Sequence, residues 1–210
     1  MPRKILIADD HSAIRIGVRQ ICANEFPAVQ FEEAVNSTEV FQKLKETDWD
    51  ILILDIDLPG RNGLDILKQL KAEKNKTPVL MFSFHVEEQI ALRAMKMGAA
   101  GYLSKDAADM ELVKAINKIM DGRKYVSPSL SEKFLDMLDN NSTKEPHELL
   151  SDREYQTMLL IASGKTVSEI ADILFLSTPT ISTYRARILQ KMKLKNNAEL
   201  TTYAISQKLV

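Results

Sequence analysis

Five short apolar runs alternate with helical segments over residues 1–121, and this alternation constrains the fold more than any other feature of the chain. The runs are rich in Ile, Leu and Val, and they cover residues 4–9, 29–35, 50–55, 78–83 and 100–105. The intervening segments have apolar residues at helical spacing, over residues 12–25, 37–47, 63–74, 87–97 and 109–121. Short apolar runs bounded by helices are typical of strands buried on both faces of a parallel sheet. The pattern therefore predicts a doubly wound α/β domain of five βα units.

The pattern changes after Gly122. Residues 128–139 have the spacing of a short helix and residues 140–148 are polar without periodicity, so we interpret 122–148 as a linker that contains a short helix. From residue 149 to residue 210 no strand signal occurs. Helical spacing there predicts four helices, over residues 152–163, 167–174, 178–193 and 197–208. The second half is therefore predicted to be an all-α domain over residues 149–210.

Cysteine content and the N-terminal sequence bear on the compartment. The 210-residue chain contains one cysteine, Cys22, so it can form no internal disulfide. The first residues, MPRKILIADDH, contain too short an apolar stretch for a signal peptide, and no later run approaches the length of a membrane span. We therefore expect a cytoplasmic protein.

The charge of the chain is distributed unevenly. The net charge is −1, but residues 1–121 carry −3 and residues 150–210 carry +3. Between Ile173 and Ala198 no acidic residue occurs, and the basic residues there are Arg185, Arg187, Lys191, Lys193 and Lys195. A basic helix face is often only solvated surface, but a stretch of one sign on a small helical domain favours a polyanionic partner.

Polar side chains end four of the five predicted strands. Asp9 and Asp10 end the first strand, Asp55 the third, Ser83 the fourth and Lys105 the fifth. The carboxyl ends of parallel strands lie on one edge of the sheet, and open α/β sheets bind their ligands there. The polarity of loops would explain any one of these residues, but it does not explain all five at one edge.

Three carboxylates within a few ångströms repel one another and require compensating positive charge. A hard divalent cation with oxygen ligands provides it, and Mg²⁺ suits that role. Lys105 would add a further positive charge. Phosphoryl transfer depends mainly on positioning and charge neutralisation, so this set of residues suffices for it. Asp55 would then act as the nucleophile and form an aspartyl phosphate.

Residues 1–121 resemble the receiver domain of two-component response regulators over their full length. The resemblance rests on four motifs, DDH at 9–11, LDIDLPGRNG at 54–63, PVLMFS at 78–83 and GYLSKD at 101–106. It implies that a sensor histidine kinase phosphorylates Asp55. It also implies that Mg²⁺ is held by Asp10, Asp55 and the backbone carbonyl of Asp57, with Asp9 acting through water.

The same resemblance assigns three further residues. Lys105 would contact the phosphoryl group, and Ser83 and Tyr102 match the switch pair of the family. In that scheme the hydroxyl group moves to bond the new phosphoryl oxygen and the aromatic ring turns inward. Two departures stand out: Asp106 follows Lys105 where many receivers have proline, and Asp57 places an additional acid two residues after the phosphoacceptor. We predict that the Asp57 side chain alters the lifetime of the aspartyl phosphate.

Residues 167–192 meet the requirements of a helix-turn-helix motif, with two short helices and polar residues at the start of the second. The predicted inward residues are Ile170, Ala171, Leu174, Leu176, Ile181, Ile188 and Leu189. The predicted outward residues are Thr178, Thr180, Ser182, Thr183, Arg185 and Arg187. Short hydroxyl groups and arginines suit base edges and phosphates. A plain helical bundle with a basic third helix would have the same spacing, so periodicity alone leaves both interpretations open.

The sequence LLSDRE at 149–154, followed by residues 160–200, resembles the four-helix LuxR-type output domain of the NarL/FixJ regulators. By position, Ser182, Thr183 and Ala186 match the base-contacting sites of the family. Arg185, Arg187 and Lys191 are our candidates for phosphate or groove contacts. Many members have lysine in place of Ser182, and the Ser-Thr-Tyr-x-x-Arg variant resembles the branch that contains BvgA and EvgA.

The resemblance also implies that the last helix, 197–208, forms a homodimer on DNA. Leu200, Tyr203 and Ala204 lie on one side of that helix and are the predicted contact residues. The same apolar stripe could equally close the core of the domain itself.

These observations favour a transcription regulator that binds double-stranded DNA and is controlled by phosphorylation of Asp55. A phosphorylation-independent DNA binder is the alternative, although the complete set of pocket residues disfavours it. An aspartate-nucleophile phosphatase with a similar sheet would need further acid and base carboxylates and a cap, for which no segment is evident. We therefore expect no classical enzyme, apart from a receiver that catalyses its own phosphorylation and dephosphorylation.

Overall fold

The computed structural model describes residues 3–84, 88–128, 130–132, 134, 145–207 and 209–210. The chain divides into two compact units, Met1–Asp139 and Asn140–Val210, each of which is considered by itself. The division falls inside the predicted linker, and the helix predicted at 128–139 lies largely outside the described residues. Within the ranges given, no helix combines the length and the apolar character needed to cross a membrane.

The first unit is a parallel sheet of six strands with helices between them, so the predicted doubly wound α/β fold is confirmed. The strands are β1 (Lys4–Ala8), β2 (Gln30–Ala34), β3 (Ile51–Asp55), β4 (Val79–Ser83), β5 (Gly101–Ser104) and β6 (Tyr125–Val126). The helices are α1 (Ser12–Glu25), α2 (Ser37–Glu46), α3 (Gly63–Ala72), α4 (Glu88–Lys96) and α5 (Ala108–Met120). The strand order is β2-β1-β3-β4-β5-β6. The chain therefore places β2 on one side of β1 and then returns to place β3 and the later strands on the other side.

Apolar side chains are buried on both faces of this sheet. On one face, alternate strand residues form a core with helices α1 and α5, and these residues are Ile5, Ile7, Ile51, Ile53, Leu80, Phe82 and Leu103. Neighbouring residues such as Leu6 and Leu52 are also fully buried. Because successive side chains of a strand point to opposite faces, burial of both sets explains why the strands are continuous apolar runs.

The sixth strand was not predicted. Tyr125 and Val126 pair in parallel with Gly101 and Tyr102 at the edge of the sheet. The absence of a side chain at Gly101 permits this approach, since a Cβ atom there would lie 2.9 Å from the carbonyl oxygen of Tyr125. Two residues are too few to produce an alternating or apolar pattern, so the sequence assigns them wrongly to the linker.

The second unit is helical within the described residues, as the sequence predicts. Its helices are α6 (Asp152–Ala162), α7 (Val167–Ile173), α8 (Thr178–Met192) and α9 (Asn197–Ser206). The side chains of Ser151, Thr166, Ser177 and Asn196 each accept a hydrogen bond from a backbone N–H in the first turn of these helices. Such N-caps stabilise a helix by about 1 kcal/mol each, which explains why the predicted starts agree with the observed ones.

Helices α7 and α8 form the predicted helix-turn-helix. The most deeply buried of the predicted inward residues are Ile170, Ala171, Leu174, Ile181 and Ile188. Leu176 and Leu189 are half-buried. Phe175 lies in the turn with a φ of 53° and is 59% exposed, an unusual backbone conformation for a bulky residue.

The last residues of the predicted linker belong to the second unit. A 3₁₀ turn spans Pro146–Leu149, and His147 is buried. The Nδ1 atom of His147 lies 2.7 Å from the hydroxyl oxygen of Tyr203 in α9. The polar composition of 140–148 predicts an irregular segment, but the burial of this histidine fixes its end to the domain.

Candidate functional site

The predicted strand-end residues meet where the strand order reverses. Strand β1 lies between β2 and β3, and Ala8 pairs with Leu54, so Asp9 and Asp55 follow on neighbouring strands. Open α/β sheets bind ligands at such switch points. We call the group formed by Asp9, Asp10, Asp55 and Lys105 the acidic pocket.

Lys105 connects two carboxylates of the acidic pocket. Its ammonium nitrogen lies 2.7 Å from Oδ2 of Asp9 and 3.0 Å from Oδ2 of Asp55. The three side chains are 1–3% exposed. Two carboxylates so close together repel each other, and the ammonium group between them offsets that repulsion.

The protonation equilibria of the acidic pocket are perturbed by burial and by charge. The pKa of Asp55 is raised to about 6, mainly by burial and further by the charges of Asp9 and Asp57, against the opposing effect of Lys105. Burial by itself lowers the pKa of Lys105, but Asp55 and Asp9 outweigh this effect and raise it. The lysine therefore stays charged at neutral pH, and additional positive charge near Asp55 would favour its ionised form.

The third carboxylate is partly exposed. The Asp10 side chain is 29% exposed, and its Oδ1 lies 2.7 Å from Nδ1 of His11. Ligand atoms of Asp9, Asp10, His11 and Asp55 all lie within 4.8 Å of one another. Oxygen donors dominate this group, and a partly hydrated Mg²⁺ requires such donors. The residues present therefore fit the expected cation, with Asp57 half-buried two residues beyond the end of β3.

Gly63 and Asn62 fix the loop that follows Asp55. A Cβ atom on Gly63 would lie 2.2 Å from the carbonyl oxygen of Asp55, and the Gly63 N–H donates to the carbonyl of Ile56 over 2.8 Å. The side chain of Asn62 accepts from the N–H of Leu64 over 2.7 Å and caps α3. The loop thus folds back against the backbone of the phosphoacceptor, which only glycine permits at this position.

The two predicted switch residues lie on neighbouring strands. Ser83 ends β4, one position beyond the Asp55–Phe82 pair, and Tyr102 lies in β5 opposite Met81. Both side chains are completely buried, so the ring of Tyr102 occupies an inward position. Their role as a switch pair stays a prediction.

The exposed face of α8 consists mainly of short side chains. Ser182, Thr183 and Ala186 are exposed at helical spacing, together with Thr178 and Arg187. Thr180 is half-buried, and its hydroxyl lies 2.8 Å from that of Ser177. A helix with small polar residues on its outer face can approach a groove closely.

Two predicted DNA-contacting cations have partners within the second unit. The Nε atom of Arg185 donates to the side chain of Asn197 over 2.6 Å. The ammonium group of Lys191 lies 2.6 Å from Oε2 of Glu154, whose side chain is 3% exposed. Sequence spacing did not reveal these pairings, because both partners come from other helices. Arg187 is exposed on the helix surface.

The predicted dimer residues lie in or beside the core. Leu200 and Ala204 are fully buried, and the hydroxyl group of Tyr203 contacts His147. The burial of Leu200 and Ala204 favours the alternative, a helix that closes its own domain, and a dimer contact through these residues stays a prediction. Ile205, on the opposite side of α9, is 60% exposed.

Comparisons with known proteins identify both halves of the chain. Residues 5–117 match the response regulator receiver domain, and residues 148–204 match the bacterial regulatory proteins of the luxR family. The chain is 32% identical to the oxygen regulatory protein NreC of Staphylococcus carnosus, and the match covers 99% of each protein. It is 32% identical to the response regulator UvrY of Escherichia coli, over 96% of this chain and 93% of UvrY.

Solved structures of similar fold extend over both units. A two-component response regulator RcsB–DNA complex matches with a TM-score of 0.61 and 26% identity, covering 98% of this chain and 99% of that one. RcsB of Salmonella enterica serovar Typhimurium, bound to promoter DNA with the phosphomimetic BeF₃⁻, matches with a TM-score of 0.62 and 25% identity. That match covers 97% of this chain and 98% of that one. The BvgA and EvgA branch stays a prediction.

Response regulators that carry a DNA-binding domain are transcription factors and not classical enzymes. Four observations agree on one assignment. They are the receiver fold with its acidic pocket, the helix-turn-helix, the two family matches and the relatives that align over nearly the whole length. The chain belongs to the NarL/FixJ-type two-component response regulators, with a receiver domain followed by a LuxR-type DNA-binding domain.

Proposed function

We propose that phosphorylation of Asp55 controls how strongly this regulator binds DNA. One observation carries the proposal: Lys105 bridges Asp9 and Asp55 in a buried pocket of a chain that also contains a LuxR-type domain. Such a pocket favours the arrival of a phosphoryl group with its counter-ions. The donor would be the phosphohistidine of a sensor histidine kinase.

Mg²⁺ would be held by Asp10, Asp55 and the backbone carbonyl of Asp57, with Asp9 acting through water. When bound, the ion supplies positive charge that offsets the carboxylates and the phosphoryl oxygens. The protein's own contribution is to hold these oxygen donors on two adjacent loops. Asp57 brings an additional negative charge near Asp55, so we propose that its side chain alters the lifetime of the aspartyl phosphate.

In the transfer, a carboxylate oxygen of Asp55 forms a bond to phosphorus while the phosphorus–nitrogen bond of the phosphohistidine breaks. Lys105 is already within 3.0 Å of the attacking carboxylate and would pair with a phosphoryl oxygen. Ser83 would donate a hydrogen bond to another oxygen, and Tyr102 on the neighbouring strand would adjust with it. Hydrolysis of the aspartyl phosphate would return the receiver to its starting state.

The second unit would bind double-stranded DNA through α8. Thr178, Ser182 and Thr183 offer hydroxyl groups to the groove, and Arg187 offers an exposed cation. The similarity to RcsB, which forms dimers on DNA, supports this use of the unit. We propose that phosphorylation favours a homodimer that recognises two half-sites.

Selection of DNA from a random pool would test this function. The full-length protein is incubated with the pool and Mg²⁺, with and without beryllofluoride, beside an Asp55→Asn control. Enrichment of a repeated half-site only for wild type with beryllofluoride is the expected result. Equal enrichment without beryllofluoride would favour phosphorylation-independent binding, and no enrichment in either state would contradict DNA recognition.

A further inference from the structure

Arg15 contacts the backbone of Asp9 and Asp10, two residues of the acidic pocket. Its Nη1 atom donates to the carbonyl oxygen of Asp9 over 2.9 Å and to that of Asp10 over 3.1 Å. Its Nε atom donates to Oε2 of Glu33 in β2 over 2.8 Å. The arginine side chain is only 13% exposed.

The position of Arg15 on α1 explains its reach. It lies in the first turn of the helix, and long helical side chains lean back towards the N-terminus. The guanidinium group therefore meets the loop between β1 and α1 from the helix side. Its rigid plane of N–H groups can serve the carbonyl groups and Glu33 together, and lysine has no equivalent geometry.

Glu33 holds the guanidinium group in this orientation. Its second carboxylate oxygen accepts from Arg19 over 3.0 Å, so one glutamate binds two arginines of α1. The hydrogen bond from Arg15 lowers the pKa of Glu33 most strongly, and Arg19 contributes further. Arg19 is 54% exposed, and none of its described hydrogen bonds involves the loop carbonyl groups.

The loop itself is short and carries a local turn. The N–H of His11 donates to Oδ1 of Asp9 over 2.9 Å, which fixes one carboxylate relative to the backbone. When the carbonyl groups of Asp9 and Asp10 are held in place, the backbone that carries their two carboxylate side chains is held as well. Groups that orient metal ligands typically change metal affinity 10- to 100-fold when they are removed.

We propose that Arg15 is a positioning residue for the acidic pocket: it clamps the backbone of Asp9 and Asp10 so that their carboxylates point at the Mg²⁺ site. The inference rests on the metal site proposed above. It assigns to Arg15 and Glu33 a role that sequence spacing alone does not reveal. Arg15 acts through the loop and does not itself touch the ion.

Removal of Arg15 has two opposing consequences. The loss of its positive charge would strengthen the attraction of the pocket for a cation, whereas the loss of the clamp would weaken binding. Arg19 provides a matched control, because Arg19→Met removes the same charge from the same glutamate and leaves the carbonyl contacts intact. The difference between the two variants therefore isolates the clamp.

The experiment is a calorimetric titration of Mg²⁺ into full-length wild type, Arg15→Met and Arg19→Met. We expect the dissociation constant of Arg15→Met to rise about 10-fold, and that of Arg19→Met to change less than about threefold. Amide exchange at His11 without metal gives a second readout. It should accelerate in Arg15→Met and stay unchanged in Arg19→Met, because only the first loses the clamp.

Arg15→Lys separates the clamp from simple folding stability. It keeps the ion pair with Glu33 but cannot span both carbonyl groups, so it should fold normally and still bind Mg²⁺ more weakly than wild type. Equal Mg²⁺ affinity and equal His11 exchange in Arg15→Met, Arg15→Lys and Arg19→Met would overturn the role of Arg15. If wild type bound no Mg²⁺, the proposed metal site would be wrong, and the inference would fall with it.

Discussion

The acidic pocket and the outer face of α8 hold their functional groups in different ways. In the pocket, side chains from three strand ends are buried and face one another, and Lys105 already pairs with two carboxylates. On α8, the groups predicted to read DNA come from one helix surface and are mostly exposed. The pocket is therefore sensitive to small displacements of backbone and charge. The helix surface tolerates changes that leave its backbone in place, since most of its groups are exposed; Arg185 and Lys191, which pair with residues of other helices, are the exceptions.

The largest effect should come from a change to the pocket backbone. In Gly63→Ala the added Cβ atom overlaps the Asp55 carbonyl oxygen, so the loop must move. We expect the free energy of unfolding to fall by about 2–3 kcal/mol and Mg²⁺ binding to weaken. Urea unfolding followed by the fluorescence of Trp49, the single tryptophan, measures the first value.

Gly17→Ala is the matched control for Gly63→Ala. Gly17 lies in α1, and a Cβ atom added there would meet no neighbouring element within 4 Å, so alanine should raise the free energy of unfolding by about 0.5–1 kcal/mol. Identical unfolding curves for Gly63→Ala and wild type would contradict the tight packing of this loop.

The charge of Asp55 should destabilise the metal-free receiver. Because its folded pKa of about 6 lies above the ordinary value of 3.8, the protonated form favours folding, and that stability is lost as pH rises between these values. Asp55→Asn should therefore be about 3 kcal/mol more stable than wild type at pH 7.5 without Mg²⁺. The gap should close as the pH falls from about 6 towards 3.8.

The same unfolding series with Asp57→Asn tests whether burial causes that effect. Asp57 is only half-buried, so its substitution should change the free energy of unfolding much less. A pH-independent difference between Asp55→Asn and wild type would show that the carboxylate charge is not responsible.

The cations of α8 should fall into two classes. Arg187→Met should lower the dependence of DNA affinity on salt by about one unit of slope, as expected for a lost phosphate contact. Lys191→Met should leave that slope unchanged, because Lys191 pairs with Glu154. It should instead destabilise the second unit by about 1–2 kcal/mol, a value reduced for the partial exposure of the lysine. Affinities at several salt concentrations and amide exchange in α6 measure both effects.

The Glu154–Lys191 pair also predicts a pH dependence. Burial by itself raises the pKa of Glu154, but the hydrogen bonds from Lys191 and Ser151 outweigh burial and lower it. The pair therefore contributes stability above the ordinary pKa of glutamate, and this stability is lost as pH falls through the lowered value.

If Lys191→Met lowered the salt slope as much as Arg187→Met, the phosphate contact predicted from the sequence would be correct.

The smallest effect should arise in the turn between α7 and α8. Phe175 adopts a φ of 53°, which asparagine tolerates better than phenylalanine. Phe175→Asn should therefore stabilise the second unit by about 1 kcal/mol, measured by amide exchange. Ile173→Asn is the contrast, because Ile173 lies in α7 and asparagine should only weaken that helix. A loss of stability in Phe175→Asn would contradict this explanation.

The acidic pocket was predictable because parallel strands bring their carboxyl ends to one edge. Asp9, Asp55 and Lys105 needed only the correct strands to converge. Arg15 was not predictable in this way, since its contacts depend on a rotamer and on Glu33 in another strand. The pairing of Lys191 was not predictable either, because its partner Glu154 lies in another helix.

Apolar periodicity had a different limit in α9. It correctly placed Leu200 and Ala204 on one side of the helix, but it could not distinguish the core of the domain from a dimer contact. The strand Tyr125–Val126 is too short for any pattern, and its pairing depends on Gly101. Sequence periodicity thus predicts which residues share a face, and the packing of other elements decides what that face meets.

We propose above that a phosphoryl group on Asp55 raises DNA affinity. Fluorescence anisotropy with a selected DNA duplex in Mg²⁺, with and without beryllofluoride, tests it most directly in wild type and Asp55→Asn. We expect beryllofluoride to lower the dissociation constant of wild type at least about 10-fold, a coupling within the usual range for allosteric proteins, and to leave that of Asp55→Asn unchanged. Equal dissociation constants for wild type in the two conditions would contradict it.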